Sequence, residues 1–567
     1  MTIATFVFFT GLVAFLTWWI TRGKGTNTED GFFLAGRSLT GLVIAGSLLL
    51  TNLSTEQLVG LNGGAFKEGL SVMAWEVIAG MSLVVLALFF LPRYLKSGIA
   101  TIPQFLEERY GSGTRALTTG IFIVAYMLIL LPFVLFSGAS ALAYMLDLPS
   151  QFDMSAKGTI WMVVAFIAIV GSAYAIFGGL RAVAVSDTFN GLGLLIGGLM
   201  ITYFSFKYAA GADGTFSTVI ADIKADNPDA FASLGREGED VHWPTLFTGV
   251  LLLNFFYWCT NQQIIQRTFG AKNLAEGQKG VLLAAFFKIL APIILVLPGI
   301  VALYVANQNA EFNALLLNEA GERDDSKVYG SLVRTVLPPA LTGFFAAVVV
   351  GSILSTFNSV LNSSATLFSL GVYKKVINKE ATTEQVVKSG RWCSGLVALF
   401  AAIGAPLIFM GRDGIFGYFQ KLNGVYFIPL LAVILVGMFN KRVNGQAAVI
   451  SIIAGLGVMM WGTFWGGDAI GAVFGSGYHF MGAAFLGVII LQLVLGIKMK
   501  REEPYVQRDA NVVDLTPWKP APIVGGALIV TVLILYISLA DLSVLNGDAA
   551  EALNEPVTDA IEVPTPE

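Results

Sequence analysis

Apolar runs of about 20 residues recur along the whole chain, and short polar stretches separate them. A run of this length crosses the hydrocarbon core of a bilayer as an α-helix. The pattern predicts an all-α polytopic membrane protein with about 14 transmembrane helices. The predicted spans are 3–20, 40–65, 69–93, 117–147, 158–179, 182–206, 246–266, 280–306, 336–371, 392–411, 415–439, 443–466, 470–497 and 522–545.

A cluster of polar residues, Thr51-Asn52-Leu53-Ser54-Thr55-Glu56-Gln57, interrupts the second predicted span. Each polar group costs free energy in hydrocarbon unless it faces a partner or a water-filled cavity. Polar residues inside a span are therefore candidates for function. A helix broken near the bilayer midplane forms the ion and substrate site of many secondary transporters. The cluster predicts a broken helix of this kind.

Composition supports the membrane assignment and excludes other classes. The 567 residues are 55% hydrophobic and 13% charged, whereas soluble domains carry about 25% charged residues. Cys259 and Cys393 both fall in predicted spans, so no disulfide is indicated. His242 and His479 are far apart in the chain and lack neighbours typical of metal ligands. No His-Glu-x-x-His motif or pair of catalytic aspartates is present, so we expect no enzyme, and we expect no nucleic-acid partner.

The positive-inside rule assigns the sides of the membrane. With the N-terminus outside, most of the 34 Lys and Arg residues fall on cytoplasmic loops and span ends. Fourteen spans then place both termini outside the cytoplasm. Two outside loops, 207–245 and 307–335, are longer than the others, and they are interpreted as solvated connectors or as an extracellular vestibule or lid.

A coarse repeat divides the chain. Ten spans form two groups of five, and the first helix of each group carries polar residues, Asn52–Gln57 and Asn254 to Gln263. Because five is odd, the second group has inverted topology. The predicted regions are a first peripheral helix and cytoplasmic loop, repeat 1, an extracellular loop, repeat 2, three peripheral helices and an acidic extracellular tail: 1–39, 40–206, 207–245, 246–440, 441–545 and 546–567.

Several polar groups inside the spans are candidates for a binding site. Glu76 and Lys288 are costly in hydrocarbon, and they form either a structural ion pair or a substrate contact. Asn254, Tyr257 and Trp258 share one helix face. An amide beside aromatic rings suits a sugar, although aromatic residues this frequent also pack against lipid or core. Gln420 is a further candidate as a buried amide.

Span 336–371 carries a row of hydroxyl groups. Ser352, Ser355, Thr356 and Ser359 lie on one helical face and offer hard oxygen ligands for an alkali cation. Hydroxyls that bond back to their own helix, or that permit close helix packing, are the alternative. Asp187, near the start of the sixth span, is interpreted as a cation exit site or as an interfacial partner of Arg181.

These motifs resemble the solute:sodium symporter family, and within it the bacterial sodium/galactose and sodium/glucose cotransporters. The resemblance runs from residue 31 to the end of the eleventh span. The blocks that carry it are Gly31-Phe-Phe-Leu-Ala-Gly-Arg-Ser38, Asn52-Leu-Ser-Thr-Glu-Gln57, Thr101-Ile-Pro-Gln-Phe-Leu-Glu, Tyr174-Ala-Ile-Phe-Gly-Gly-Leu-Arg-Ala182, Tyr257-Trp258 through Asn261-Gln262 to Ile264-Ile-Gln-Arg267, and Leu361-Asn-Ser-Ser-Ala-Thr366.

The resemblance implies a leucine-transporter-like core of 5+5 inverted repeats in a bacterial inner membrane. It implies sodium as the coupling ion and a sugar as the substrate. It also implies roles for the residues at matching positions: Gln57, Glu76, Asn254, Lys288 and Gln420 for the substrate, Tyr257 and Trp258 for the gate, Leu50, Leu53, Ser352, Ser355 and Thr356 for sodium, and Asp187 for sodium release. Where the family's sugar transporters place a serine one turn after the glutamate, this chain has Ala79.

The sequence therefore predicts a sodium-coupled symporter that imports a galactose- or glucose-like monosaccharide by alternating access. One alternative is a sodium symporter for an anionic sugar, a polyol or another carboxylate, with Lys288 as the counter-charge. An ion channel is the alternative from another class, but a channel needs a continuous polar stripe rather than a midplane cluster.

Overall fold

A computed structural model describes residues 2–21, 34–318, 320–412 and 414–545. The description of side chains leaves out 2–3, 14, 18, 21, 50–51, 173–184, 186–188 and 545. The described residues form α-helices and short 3₁₀ or π turns, and they contain isolated β-bridges without a strand. The predicted all-α class is confirmed.

The α-helices are numbered in chain order. They are α1 (Thr2–Thr21), α2 (Gly41–Asn52), α3 (Thr55–Glu68), α4 (Ala74–Val85), α5 (Leu91–Ser97), α6 (Ile102–Tyr110), α7 (Ser112–Ala125), α8 (Leu131–Met145), α9 (Leu148–Phe152), α10 (Ala156–Ala210), α11 (Phe216–Asp226), α12 (Gly249–Cys259), α13 (Gln262–Phe269), α14 (Leu274–Leu290), α15 (Pro292–Leu295), α16 (Leu297–Gln308), α17 (Ala310–Leu316), α18 (Asp325–Val336), α19 (Pro339–Phe368), α20 (Thr383–Phe409), α21 (Ile415–Phe439), α22 (Gly445–Phe464), α23 (Gly467–Phe474), α24 (Gly477–Lys498) and α25 (Ala521–Ser538).

Nine helical segments in the described residues are long and apolar enough to cross a membrane. A tenth is bent by 42° between Leu274–Leu290 and Pro292–Gln308, where Pro292 lacks the N–H that would continue the helix. Two shorter apolar helices, Ala4–Thr17 and Ala156–Ser172, correspond to the first and fifth predicted spans. The second and seventh predicted spans are each split into two short helices.

One predicted boundary differs from the structure. The spans 158–179 and 182–206 join in one helix, α10, of 55 residues. Both halves pack on α19, with Gly171 next to Phe357 and Asn190 next to Gly351. A straight helix would separate residues 171 and 190 by about 28 Å, so α10 bends between its two apolar halves. The segment contains no proline, and its glycines weaken a helix without removing a backbone donor. Nothing in the sequence therefore forces the helix to end at residue 180.

The two long outside loops are more ordered than solvated connectors. The first contains α11 and a 3₁₀ turn, and Ser233 bonds the carbonyls of Tyr536 and Leu539. The second contains α17 and α18, and α18 packs against α3 and α8. Both loops therefore contain helices and contacts to the helical core, and their role as connectors or as a vestibule or lid stays a prediction.

A short helix outside the spans, α6, begins at a well-defined N-terminus. Thr101 and Gln104 form a capping box, and Pro103 lies in the first turn. Arg109 is buried and donates to the carbonyls of Gly437 and Val443. The helix α6 is therefore fixed to the end of α21 by hydrogen bonds.

The core that positions the site is formed by the two broken helices and their neighbours. The first broken helix, α2–α3, packs against α14, α10 and α19. The second, α12–α13, packs against α4 and α21 through its first half, and against α2 and α19 through its second. Both interruptions were predicted from polar residues in apolar runs, and both occur at those residues.

Candidate functional site

A buried cavity lies where α3, α4, α12 and α21 meet. Its lining brings together six of the predicted site residues with residues that the sequence had not assigned to the site. It is lined by Asn52, Glu56, Gln57, Trp75, Glu76, Leu130, Leu253, Asn254, Tyr257, Trp258, Phe416, Phe419, Gln420 and Phe427. The tertiary fold thus gathers amides, carboxylates and aromatic rings from distant parts of the chain around one space.

The break in the first helix places three of these residues, Asn52, Glu56 and Gln57, at the cavity. Leu53 leaves the helical region with ψ at 53°, and Ser54 is extended with ψ at 179°. The new helix starts at Thr55, so Glu56 and Gln57 stand in its first turn. Thr55 Oγ1 donates to the carbonyl of Val349 on α19 at 3.4 Å. This contact joins the broken helix to the span that carries the hydroxyl row.

Glu76 and Lys288 form a buried ion pair. Lys288 Nζ donates to Glu76 Oε2, and their side chains are 0% and 2% exposed. Lys288 does not line the cavity; it reaches the site through Glu76, and its ammonium lies 5.3 Å from the centroid of the Trp258 ring. The ion pair that the sequence left as one of two interpretations is therefore formed. Such a pair is costly to desolvate and more costly to break.

The side-chain amides predicted for the site differ in the hydrogen bonds that they form within the protein. Asn254 Nδ2 donates to the carbonyl of Val250 at 3.0 Å, and Gln420 Oε1 accepts from Asn423 Nδ2 at 3.1 Å. The buried Gln57 Oε1 has no hydrogen-bond partner among the described residues. Buried polar atoms are nearly always paired, so this oxygen indicates a ligand-facing position.

Aromatic rings form much of the cavity lining. Trp75 lies 5.7 Å from Phe416 and 5.9 Å from Tyr478, measured between ring centroids. Tyr257 lies 5.3 Å from Trp258 and 6.3 Å from Phe427. The space inside the cavity is about 30 Å³. A single water needs roughly 10–15 Å³, so the cavity must expand before a sugar can enter.

The predicted cation ligands lie on the two helices that Thr55 connects. Ser352, Ser355 and Thr356 are buried on α19, and α19 packs against α2, whose last residues precede Leu53. Ser352 Oγ is fully buried and has no hydrogen-bond partner in the described chain. An orphaned hydroxyl among other oxygen donors fits an alkali cation, which binds hard oxygen ligands. The side chains of Leu50 and Asp187 lie outside the described residues.

Sequence reasoning did not assign several lining residues. Asn52 and Glu56 belong to the polar cluster that predicted the break, so that cluster was a signal for both. Trp75, Phe416, Phe419 and Phe427 carried no such signal, because aromatic residues are frequent in all spans. His242 and His479 are also brought together, with ring centroids 6.5 Å apart. No cluster of three or more potential metal ligands of the His, Cys, Asp or Glu type was found in the described ranges.

Comparison with solved structures defines the class of fold. The chain superimposes on a Na+-coupled sialic acid symporter in a substrate-bound outward-open state with a TM-score of 0.71 at 19% identity, covering 89% of this chain and 99% of that one. It matches Mhp1, a nucleobase-cation-symport-1 family transporter, with a TM-score of 0.50 at 15% identity, covering 82% and 93%. The molecule has the leucine-transporter type of transporter fold.

Comparison of sequences defines the family. The model of the sodium:solute symporter family matches residues 32–455. An uncharacterized symporter, YidK, of Escherichia coli is 42% identical over 95% of this chain and 91% of its own length. A sodium/glucose cotransporter of Vibrio parahaemolyticus is 32% identical over 80% of this chain and 83% of its own. The chain belongs to the sodium:solute symporter family, which confirms the resemblance and sodium as the coupling ion.

Proposed function

We propose that the protein imports a monosaccharide, of galactose or glucose type, together with sodium by alternating access. The observation that supports this proposal most directly is the enclosed cavity lined by Gln57, Glu76, Asn254 and Gln420. Amides and carboxylates bond sugar hydroxyls, and the aromatic rings pack on the apolar face of the sugar. A relative named as a sodium/glucose cotransporter agrees with this class of substrate.

In this proposal Glu76 accepts hydrogen bonds from the sugar, and Lys288 holds that side chain in place through their ion pair. Tyr257 and Trp258 cover the sugar on one side. Because the cavity is contracted, sugar binding coincides with an outward movement of these rings. Rocking of the core then opens the inner side, as in other transporters of this fold.

Sodium binds between α2 and α19, with the carbonyls of Leu50 and Leu53, the carbonyl of Ser352 and the hydroxyls of Ser355 and Thr356 as ligands. The ion joins the broken helix to α19 and thereby orders the first turn of α3, where Gln57 stands. Sodium and sugar then favour each other's binding, and this coupling is reciprocal. We assign Asp187 to sodium release on the cytoplasmic side.

A polyol is a second candidate substrate. Relatives named as sodium/myo-inositol cotransporters are 28–29% identical over 77% of this chain, and the same amides suit a ring of hydroxyls. An anionic sugar fits less well, because Glu56 and Glu76 both line the cavity. An ion channel fits less well too, because Gln57, Glu76, Asn254 and Gln420 gather around one small cavity rather than along a continuous polar stripe.

The proposed topology has both termini outside the cytoplasm of a bacterial inner membrane. Repeat 1 covers 40–206 and repeat 2 covers 246–440, with the extracellular loop 207–245 between them. Peripheral elements are 1–39, 441–545 and the tail 546–567. Labelling of cysteines introduced into a cysteine-free background tests the sides: residues in 207–245 react in intact cells, and residues near Lys374 do not.

The deciding experiment is uptake of radiolabelled solutes into proteoliposomes, with and without an inward sodium gradient. The panel contains galactose, glucose, myo-inositol, an acidic sugar and proline. The proposal expects sodium-dependent uptake of a neutral hexose. Uptake of the acidic sugar or proline alone would overturn the roles given to Glu76 and Lys288 while leaving the family assignment intact.

A further inference from the structure

Glu56 lines the cavity but has no task in the function proposed above. It stands in the first turn of α3, next to Gln57, and it is 3% exposed. Its Oε2 atom has no hydrogen-bond partner within the described part of the chain. A carboxylate oxygen that is buried and unpartnered beside a binding cavity indicates a ligand that supplies the missing donor.

Two neighbouring oxygen atoms are also buried without a hydrogen-bond partner. Asn52 Oδ1 and Gln57 Oε1 line the same cavity, are buried, and lack partners among the described residues. All three orphaned atoms are hydrogen-bond acceptors. An ammonium group has three donors and no acceptor, so it matches this set more completely than a hydroxyl group, which brings one donor and its own acceptor lone pairs.

The charges of the lining residues also favour an ammonium ligand. Two carboxylates, Glu56 and Glu76, line the cavity, and neither Lys nor Arg is among the lining residues. The nearby Lys288 already bonds Glu76. One negative charge is therefore left without a contacting cation, and the positive end of the α3 dipole stabilises that charge in place.

The aromatic walls also favour a cation. Trp75, Tyr257 and Trp258 line the same cavity as Glu56. Aromatic rings attract cations through their quadrupole, and aromatic cages recognise ammonium ligands. Burial of the site lowers the local dielectric constant and strengthens the interaction between opposite charges.

We propose that Glu56 selects a sugar that carries a protonated amine, so that the preferred substrates are amino sugars. The proposal rests on the sugar symport proposed above and names the substrate class of that site. The ammonium group pairs with Glu56 and donates hydrogen bonds to the oxygens of Asn52 and Gln57. The remaining hydroxyls of the ring bond Glu76, Asn254 and Gln420.

The test compares glucose with glucosamine, which differ by one hydroxyl against one ammonium group. Sodium-driven uptake of each is measured in proteoliposomes buffered at neutral pH, for wild type, Glu56→Gln and Glu56→Asp. Glu68→Gln is the matched control, since Glu68 ends the same helix outside the cavity, where it accepts from the backbone N–H of Asp240. Thermal unfolding in detergent verifies that each variant is folded.

The expected result is a preference of wild type for glucosamine of about tenfold or more, as for a charge-assisted hydrogen bond. Glu56→Gln loses that preference, because its uptake of glucosamine falls about tenfold more than its uptake of glucose. Glu56→Asp and Glu68→Gln keep the preference.

Three results would overturn the proposal. In the first, wild type takes up glucose and glucosamine equally. In the second, Glu56→Gln lowers the uptake of both sugars by the same factor. In the third, Glu56→Gln changes only the sodium dependence, which would mean that Glu56 serves the coupling cation. If wild type takes up neither sugar under a sodium gradient, the sugar symport itself fails, and that outcome is distinct from the other three.

Discussion

The two broken helices differ in how the polar groups at the break are hydrogen-bonded. At the second, Tyr126 donates from its hydroxyl to Asn261 Oδ1 at 2.5 Å and accepts from the backbone N–H of Gln263 at 2.9 Å. The side chain of Gln262 accepts from the backbone of Ile102 at 2.8 Å. At the first, Ser54 Oγ, Asn52 Oδ1 and Gln57 Oε1 are buried without partners in the described residues.

This difference separates a structural break from a binding break. At the second interruption, Asn261 Nδ2 and both side-chain amide atoms of Gln263 are likewise buried without partners among the described residues, but neither residue lines the cavity, whereas Asn52 and Gln57 do. The first interruption leaves acceptors for sodium, sugar or both to satisfy, and an unsatisfied buried group costs about 1–3 kcal/mol. Ligands that satisfy these groups therefore stabilise the first broken helix more than the second.

The largest expected effect comes from the ion pair beside the first break. Glu76→Ala leaves Lys288 buried and unpaired, so we expect a loss of about 3–5 kcal/mol of stability together with loss of uptake. Thermal unfolding in detergent and proteoliposome uptake measure the two effects.

The double variant Glu76→Ala with Lys288→Met serves as the control. It removes both charges, so most of the stability returns while uptake stays absent. A single variant that unfolds at the wild-type temperature would contradict the pairing seen here.

Gln57→Ala tests the binding break directly. Its amide oxygen has no protein partner, so we expect uptake to fall about 10- to 100-fold with no loss of thermal stability. Sodium and sugar should then raise the unfolding temperature of the variant less than they raise that of the wild type. Wild-type uptake by this variant would remove Gln57 from the site.

Tyr126→Phe is the converse change at the structural break. It leaves Asn261 Oδ1 and the N–H of Gln263 without their partner, so we expect about 1–3 kcal/mol less stability. Uptake per folded molecule should stay within about threefold of the wild type. If this variant instead loses uptake and keeps its unfolding temperature, the distinction between the two breaks is wrong.

The smallest expected effect concerns sodium. Ser355→Ala with Thr356→Ala removes two proposed ligands on α19, and we expect the sodium concentration for half-maximal uptake to rise about tenfold. Ser364→Ala is the control on the same helix, because Ser364 donates to the carbonyl of Val360 in its own helix. An unchanged sodium curve for the double variant would exclude these hydroxyls from the ion site.

Most of the fold could be predicted from the sequence because the bilayer imposes a strong rule. Apolar runs must be helical, since hydrocarbon offers no partner for backbone groups. The same rule located both interruptions, because polar residues such as Asn52 and Gln263 cannot face lipid. The helical junction between the two apolar halves of α10 was not predictable from this rule, since a change from apolar to polar residues does not itself end a helix.

The sequence by itself determined the helical membrane class, the two interruptions and the polar residues that need partners, because burial in hydrocarbon penalises each unpaired group locally. Only the tertiary structure decided which partner each group has. In the folded protein Lys288 pairs with Glu76, and Glu56 lines the cavity without a contacting cation. Of the 10 Trp and 42 Phe residues, the fold places Trp75 and Phe416 among those that line the cavity. These are contacts between residues far apart in the chain, and helix packing rather than local sequence pattern fixes them.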